Sequence, residues 1–347
     1  MKTEIRKIKA DGIYSLLALW SDNADVFVPA DGGDGQARFE KWSQGVKVSE
    51  AVNTVRSAKD FFFPQTENLV GFRLEGKKID IVDIRKDAED FVVFGVRACD
   101  AKSFDILDRV FLSQPVDTFY KNRREHGTIV TLACSAAEDT CFCHTFGIDA
   151  TEPGGDVSAW RAGDELYLKA NTEKGEKFLA ASEKLLGAAD ESDKRTLEAQ
   201  KKTTKEMLAE LPLANLTTEK FDGANLLEKF HSEKWKELSA ACLGCGVCTF
   251  VCPTCQCYDI KEFDTGHGIR RFRCWDSCMY SDFTKMAAEN PRHTQLERFR
   301  QRFMHKLVYF PQNNDGIYGC VGCGRCLAKC PISMNIVKVM KAVGEDK

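Results

Sequence analysis

Sixteen cysteines are spread along this chain of 347 residues, and eight of them repeat one spacing. Cys242, Cys245, Cys248 and Cys252, followed by Pro253, read C-x2-C-x2-C-x3-C-P; Cys320, Cys323, Cys326, Cys330 and Pro331 read the same. At that spacing three thiolates grip one cubane cluster while the fourth cysteine reaches across to the other. The spacing therefore predicts two interleaved [4Fe–4S] sites: Cys242, Cys245, Cys248 and Cys330 on one, Cys252, Cys320, Cys323 and Cys326 on the second. Gly244 and Gly246 return as Gly322 and Gly324, so that each tight loop can approach its cluster and aim N–H groups at the sulfurs. A pair of zinc sites is the competing reading, but zinc joins two C-x2-C units and has no use for a third cysteine followed by x3-C-P.

The other eight cysteines fall into two groups. Cys99, Cys134, Cys141 and Cys143 are enough for a cubane or a zinc ion. Cys141 and Cys143, two residues apart, point to one side of an extended segment. A third cluster, a zinc site and buried or reactive thiols all remain open for them. Cys255 and Cys257 follow the first cluster motif directly, and Cys274 and Cys278 lie in RCWDSCM. Packing beside the clusters or support of their shell is the expected role of these four. His126, His231 and His293 are expected to face solvent, and Trp160, Trp235 and Trp275 to pack in the core. No dinucleotide, phosphate-loop or H-E-x-x-H fingerprint is present.

The elements that must hold these ligands are legible in outline. Ile13, Leu16, Leu17 and Trp20 recur at helical spacing, and Asp25 to Val28 reads as a strand entering a glycine-rich turn at Asp31 to Gly35. FVVFGVRACDAKSFDILDRVF reads as a buried strand, a turn and a helix with Phe104, Leu107 and Phe111 on one face, and Thr128 to Cys134 as a further strand. These alternations predict an α/β domain over residues 1–171. Residues 172–238, rich in Ala, Glu, Lys and Leu, predict a helical connector. Residues 239–347 predict an α-helical dicluster ferredoxin domain without strands, with a helix from about Thr294 to Tyr309. The fold class is thus multidomain α+β. Arg270, Arg271, Arg273, Arg292, Arg298, Arg300, Arg302 and Lys306 stand between the cluster motifs. There they could hold an anionic cluster, dock an acidic partner, or simply line a solvated face.

With 43% hydrophobic residues and a formal charge of -3, the chain can build a core and carries no global basic field, which argues against nucleic acid as a partner. It shows no secretion signal and no long apolar run. A cytoplasmic protein with reduced thiols, free to act as metal ligands, is expected.

The stretches GVRACD (95–100), LDRVF (107–111), CFC (141–143), CLGCGVCTFVCPTCQCYD (242–259), WDSCM (275–279) and CVGCGRCLAKCP (320–331) together resemble one family. It comprises the A subunit of anaerobic sulfite reductase and the β subunit of sulfhydrogenase. All eight dicluster ligands and the N-terminal quartet fall on matching positions, as do Cys255, Cys257 and Cys278; Cys274 does not. The resemblance implies a non-catalytic electron-transfer subunit in a hetero-oligomer. It would relay electrons between an NAD(P)H-linked flavoprotein and a terminal hydrogenase, sulfite reductase or electron-bifurcating enzyme. The alternative is a self-contained reductase that acts on a disulfide or small substrate through the extra cysteines.

Overall fold

A computed structural model describes residues 4–83, 85, 88–221, 225–264, 266 and 268–344. Strand β1 (Arg6–Lys9) precedes helix α1 (Ile13–Ser21), and β2 (Asp25–Asp31) and β3 (Ala37–Lys41) form a hairpin across the glycine-rich turn. Next come α2 (Lys59–Phe62), β4 (Thr66–Glu75), β5 (Lys78–Val82), β6 (Phe91–Val96), α3 (Ala98–Phe111), α4 (Thr118–His126) and β7 (Gly127–Leu132). β8 (Val157–Ala162), β9 (Glu165–Ala170), α5 (Glu173–Ala180), β10 (Gly187–Ala188) and α6 (Glu191–Ala209) follow. Eight strands make one sheet in the order β10-β1-β9-β8-β7-β6-β2-β3. Its centre, β2, β6, β7 and β8, is parallel.

Helices on both faces explain why β6 (FVVFGV) and β7 (GTIVTL) are buried along their whole length. Val92 and Phe94 enter the core beneath α1 and α5, whereas Phe91 and Val93 enter the one beneath α3 and α4. Phe104, Leu107 and Phe111 line the latter core, as their spacing on α3 requires. The segment expected as a connector is largely helical. Its α5 and α6 lie on the sheet through Leu179 and Leu197, and β10 pairs with β1.

The C-terminal part contains α7 (Leu226–His231), α8 (Lys234–Ala240), α9 (Val247–Phe250), β11 (Tyr258–Asp264) and β12 (Gly268–Trp275). After these come α10 (Gln295–Met304), a π-helical turn (His305–Tyr309), α11 (Phe310–Asn313), α12 (Arg325–Ala328) and α13 (Ile336–Gly344). Trp235, Phe299, Phe303, Leu307, Ile336 and Val339 form its core. The expected helix begins at an N-cap on Thr294, closed by a capping box with Glu297.

One expectation fails: strands do occur after residue 240. β11 and β12 pair with each other, and β12 pairs with β4, giving a second sheet in the order β11-β12-β4-β5. The ribbon is charged and largely exposed on β11, so it lacks the apolar alternation by which a strand is read.

The two halves interpenetrate. Phe142, from the loop after β7, enters the C-terminal core, and Trp275 enters the core beneath α3. Between them Arg325 donates to the Asp100 carboxylate at 2.5 and 2.7 Å and to the Thr54 carbonyl at 2.8 Å. Both side chains of that ion pair are 2% exposed. The substitution Asp100→Ala is expected to cost about 3–5 kcal/mol in urea unfolding, since it strands a buried guanidinium. The double substitution Asp100→Leu with Arg325→Met, which replaces the pair by apolar side chains, is expected to recover most of that loss.

Candidate metal centre

The sequence repeat is also a repeat of backbone geometry. Gly246 and Gly324 occupy the left-handed region at φ 73° and 79° and start two four-residue helices, α9 and α12. Ahead of them the Gly244 N–H donates to Cys242 Sγ and the Gly322 N–H to Cys320 Sγ, each at 3.5 Å. Such N–H groups stabilise sulfur that carries negative charge.

Cys252, Cys320, Cys323 and Cys326 surround one space and interact electrostatically with one another. Burial pushes the thiols of Cys320, Cys323 and Cys326 up to about 12. Coordination, which requires thiolates, must therefore supply the free energy of their ionisation. Among the described residues no three Cys, His, Asp or Glu side chains converge on a single ion. A cubane asks for a different arrangement, because its thiolates sit on separate corners of a cage.

Two buried cations face this space. Lys306, on the π-helical turn, donates from Nζ to Cys252 Sγ at 3.5 Å, Thr254 Oγ1 at 2.8 Å and the Gly319 carbonyl at 2.8 Å. Its burial opposes the charge, but Cys252, Cys255 and Cys320 outweigh that, and the ammonium is held above its ordinary pKa. Arg302 is buried among Cys248, Cys326, Cys252 and Cys278. Its Nε finds no hydrogen-bond partner among the described residues. An orphaned guanidinium N–H beside four thiols suits an anionic cluster, so the residues fit the group.

The other dicluster set is looser. Cys248 faces Cys242, Cys245 is exposed at the rim, and Cys330 Sγ donates to the Met334 carbonyl at 3.4 Å. The Tyr280 hydroxyl donates to the Cys245 carbonyl at 3.2 Å.

The N-terminal quartet does come together. Cys99 lies in the first turn of α3, after β6; Cys134 follows β7; and Cys141 and Cys143 lie on the next loop. This is the carboxyl edge of the parallel strands, where open α/β sheets build their sites. The four thiols share one recess with Asn53 and Cys323. Cys143 interacts with Cys134 and Cys141, and Cys99 with Cys143 and Cys323. Burial pushes Cys143 up to about 12. The Arg97 guanidinium donates to the Ala51 and Val52 carbonyls at 2.9 Å and places its charge against Cys134.

The quartet abuts the second dicluster set directly. The Phe142 N–H donates to the Gly322 carbonyl at 3.0 Å. Asn53 Nδ2 donates to the Cys323 carbonyl at 3.4 Å and approaches Cys141 Sγ at 3.9 Å. A Cβ on Gly324 would lie 2.6 Å from the Thr140 carbonyl, so the contact itself requires glycine there.

Several sequence assignments change. Arg273 is buried against Glu67 and Asp117, and Arg271 pairs with Glu262, so both serve the second sheet. Arg300 stacks 3.7 Å from the Phe230 ring centroid, and Arg298 donates to the Met279, Arg292 and His293 carbonyls. From the basic set it is Arg302 and Lys306 that turn to the thiols. Cys274, on β12, faces Lys261, Asp259 and Asp276 away from the other cysteines, whereas Cys255, Cys257 and Cys278 meet. His231 and His293 are exposed, His126 is half-buried with Asp90 at 2.6 Å, and the three tryptophans are buried. Asn53 and Lys59 carried no sequence signal; Arg97 and Asp100 did, as neighbours of Cys99.

Residues 241–334 match the 4Fe-4S dicluster domain model. Over 313 residues the chain is 32% identical to the sulfhydrogenase 2 subunit beta of Pyrococcus furiosus, with 89% of each chain covered. Among the described residues no helix is long and apolar enough to cross a membrane.

Changing Lys306 to Met removes a positive charge that favours the more negative, reduced cluster. A redox titration followed by electron paramagnetic resonance (EPR) is expected to show one midpoint lowered by about 60–130 mV, the equivalent of one charge-assisted hydrogen bond of about 1.5–3 kcal/mol. Iron content is expected to stay unchanged.

Proposed function

The chain belongs to the sulfhydrogenase β subunit family, and from that premise we propose that it is the iron–sulfur wire of a multi-subunit oxidoreductase, carrying three [4Fe–4S] clusters in series. Cys242, Cys245, Cys248 and Cys330 would hold the first, Cys252, Cys320, Cys323 and Cys326 the second, and Cys99, Cys134, Cys141 and Cys143 the third. When bound, the clusters supply one-electron steps; the chain supplies spacing, charge and exclusion of water.

The carrying observation is the packing of the quartet's CFC loop onto the second motif at Phe142 and Gly322. Four thiols gathered for structure alone would need no such contact. A third cluster there would stand directly beside the second, which in turn is tied to the first because each motif sends its fourth cysteine, Cys252 or Cys330, to the other's cluster. The exposed Cys245, two residues from Leu243 at 66% exposure, would be one end at which electrons pass to or from a partner. The loop at 135–139, mostly exposed over the quartet, marks the other end.

The relative's name, a sulfhydrogenase subunit beta, supports a multi-subunit setting; the partners we propose within it are an NAD(P)H-linked flavoprotein on one side and a terminal redox enzyme on the other. Reduced thiols of this number suit the cytoplasm. In this reading the chain has no substrate of its own.

Anaerobically purified protein is expected to hold about 12 iron and about 12 acid-labile sulfide atoms. Changing Cys141 to Ser is expected to lower both to about 8 and to remove one component of the EPR spectrum of the dithionite-reduced protein. A wild-type count near 8 would remove the third cluster, and zinc in place of iron would end the electron-transfer reading.

A further inference from the structure

The two cysteine motifs share their cysteines, glycines and prolines, but the residue after C-P differs: Thr254 follows the first and Ile332 the second. A motif of this kind therefore folds without a hydroxyl at that position. In each motif the backbone N–H two residues beyond the first cysteine, on Gly244 or Gly322, donates to that cysteine's sulfur. Thr254 stands at the same remove from Cys252 and brings its side chain instead. Its Oγ1 lies 3.2 Å from Cys252 Sγ.

A threonine hydroxyl has one hydrogen to give and two lone pairs to receive with. The Lys306 ammonium, which can only donate, takes one lone pair of Oγ1 at 2.8 Å. The hydroxyl hydrogen then has two acceptors within reach, the Gly319 carbonyl at 2.7 Å and Cys252 Sγ. It serves one of them at a time.

The Gly319 carbonyl does not depend on that hydrogen. Lys306 Nζ donates to it at 2.8 Å, and the Gly319 N–H donates in return to the Lys306 carbonyl at 2.9 Å. The hydroxyl can therefore leave the carbonyl without stranding a buried acceptor, the outcome that would be costly. Only rotation about the Cβ–Oγ1 bond is needed, since Lys306 holds the oxygen in place. Thr254 and Lys306 are both buried, so water does not compete for the hydrogen.

We propose that the Thr254 hydroxyl is a redox-responsive hydrogen-bond donor to the second cluster: it points to the Gly319 carbonyl while the cluster is oxidised and turns to Cys252 Sγ when the cluster takes up an electron. Added negative charge makes the ligating sulfur the stronger acceptor. The hydrogen stays on Thr254 throughout, so no proton is transferred, and the electron is the only species that arrives. The turn favours the reduced state of the second cluster; at the matching place beyond Cys330, Ile332 has no hydroxyl to offer. This rests on the reading of Cys252 as a cluster ligand.

The test is an EPR-monitored redox titration of the full-length, cluster-loaded chain, with iron analysis, on the wild type, Thr254→Val and Thr254→Ser. Valine keeps the shape of the side chain and removes the hydroxyl. In Thr254→Val one midpoint is expected to fall by the equivalent of about a tenfold loss in the reduction equilibrium, about 59 mV for one electron. Iron and the other midpoints are expected to stay unchanged, and Thr254→Ser to keep the wild-type value. Reduced-minus-oxidised infrared spectra of protein labelled at the glycine carbonyl carbon follow the turn itself. A glycine carbonyl stretch is expected to rise in frequency on reduction in the wild type and Thr254→Ser, and not in Thr254→Val. An unmoved midpoint in Thr254→Val at full iron would overturn the proposal, as would an equal fall in Thr254→Ser, which would make packing the cause. If Thr254→Val loses iron, the wild-type infrared spectrum decides, and the absence of that carbonyl shift overturns the turn. Failure of the underlying cluster reading would appear separately, as little iron in the wild-type protein.

Discussion

The contact on which the arrangement depends is the buried ion pair between Arg325 and Asp100. Arg325 lies inside the second cysteine motif, between Cys323 and Cys326; Asp100 follows Cys99 of the quartet. One guanidinium therefore joins two cysteine-bearing loops far apart in sequence, and it donates to Thr54 as well. Its planar fork meets both carboxylate oxygens, which fixes orientation as well as distance. Without it, the quartet and the second dicluster set would be two separate thiol groups on two packed halves. With it, Phe142 meets Gly322, Asn53 meets Cys323, and the quartet abuts the second motif.

The same logic of charge runs through the interior. Arg97, Arg302, Arg325, Lys59 and Lys306 are all buried, an unusual density of cations for a protein core. Asp100 is taken up by Arg325, and the charge of Lys306, Arg302 and Lys59 is directed at sulfur. Buried cations of this kind persist when an anionic group compensates them, and thiolate-bound clusters are such a group. The chain thus places its positive charge where an electron would reside. This is also how a protein sets cluster potential without changing the ligands.

The dicluster domain, the helix from Thr294 and the buried strand at 91–96 were legible from spacing alone, because each obeys a rigid geometric rule. Cluster motifs demand fixed intervals, and a strand covered on both faces must be apolar throughout. The quartet was legible as four cysteines, but its adjacency to the second motif was not: Phe142, Gly322 and Asn53 meet only through tertiary packing. The β11–β12 ribbon escaped because its pattern is charged and exposed, and its pairing partner β4 lies far back in the sequence. The roles of Arg271 and Arg273 followed from that omission, since a basic run near cysteines looks alike whether it faces sulfur or a carboxylate such as Glu67.

The central claim is that the N-terminal quartet continues the path of the two C-terminal clusters. Anomalous diffraction at the iron absorption edge, on crystals of the anaerobically prepared protein, tests it most directly. The account predicts three compact iron centres in a row, the middle one beside Gly322 and Lys306 and the outer one within the recess of Cys99, Cys134, Cys141 and Cys143. Iron confined to the C-terminal motifs, with an empty quartet, would contradict it.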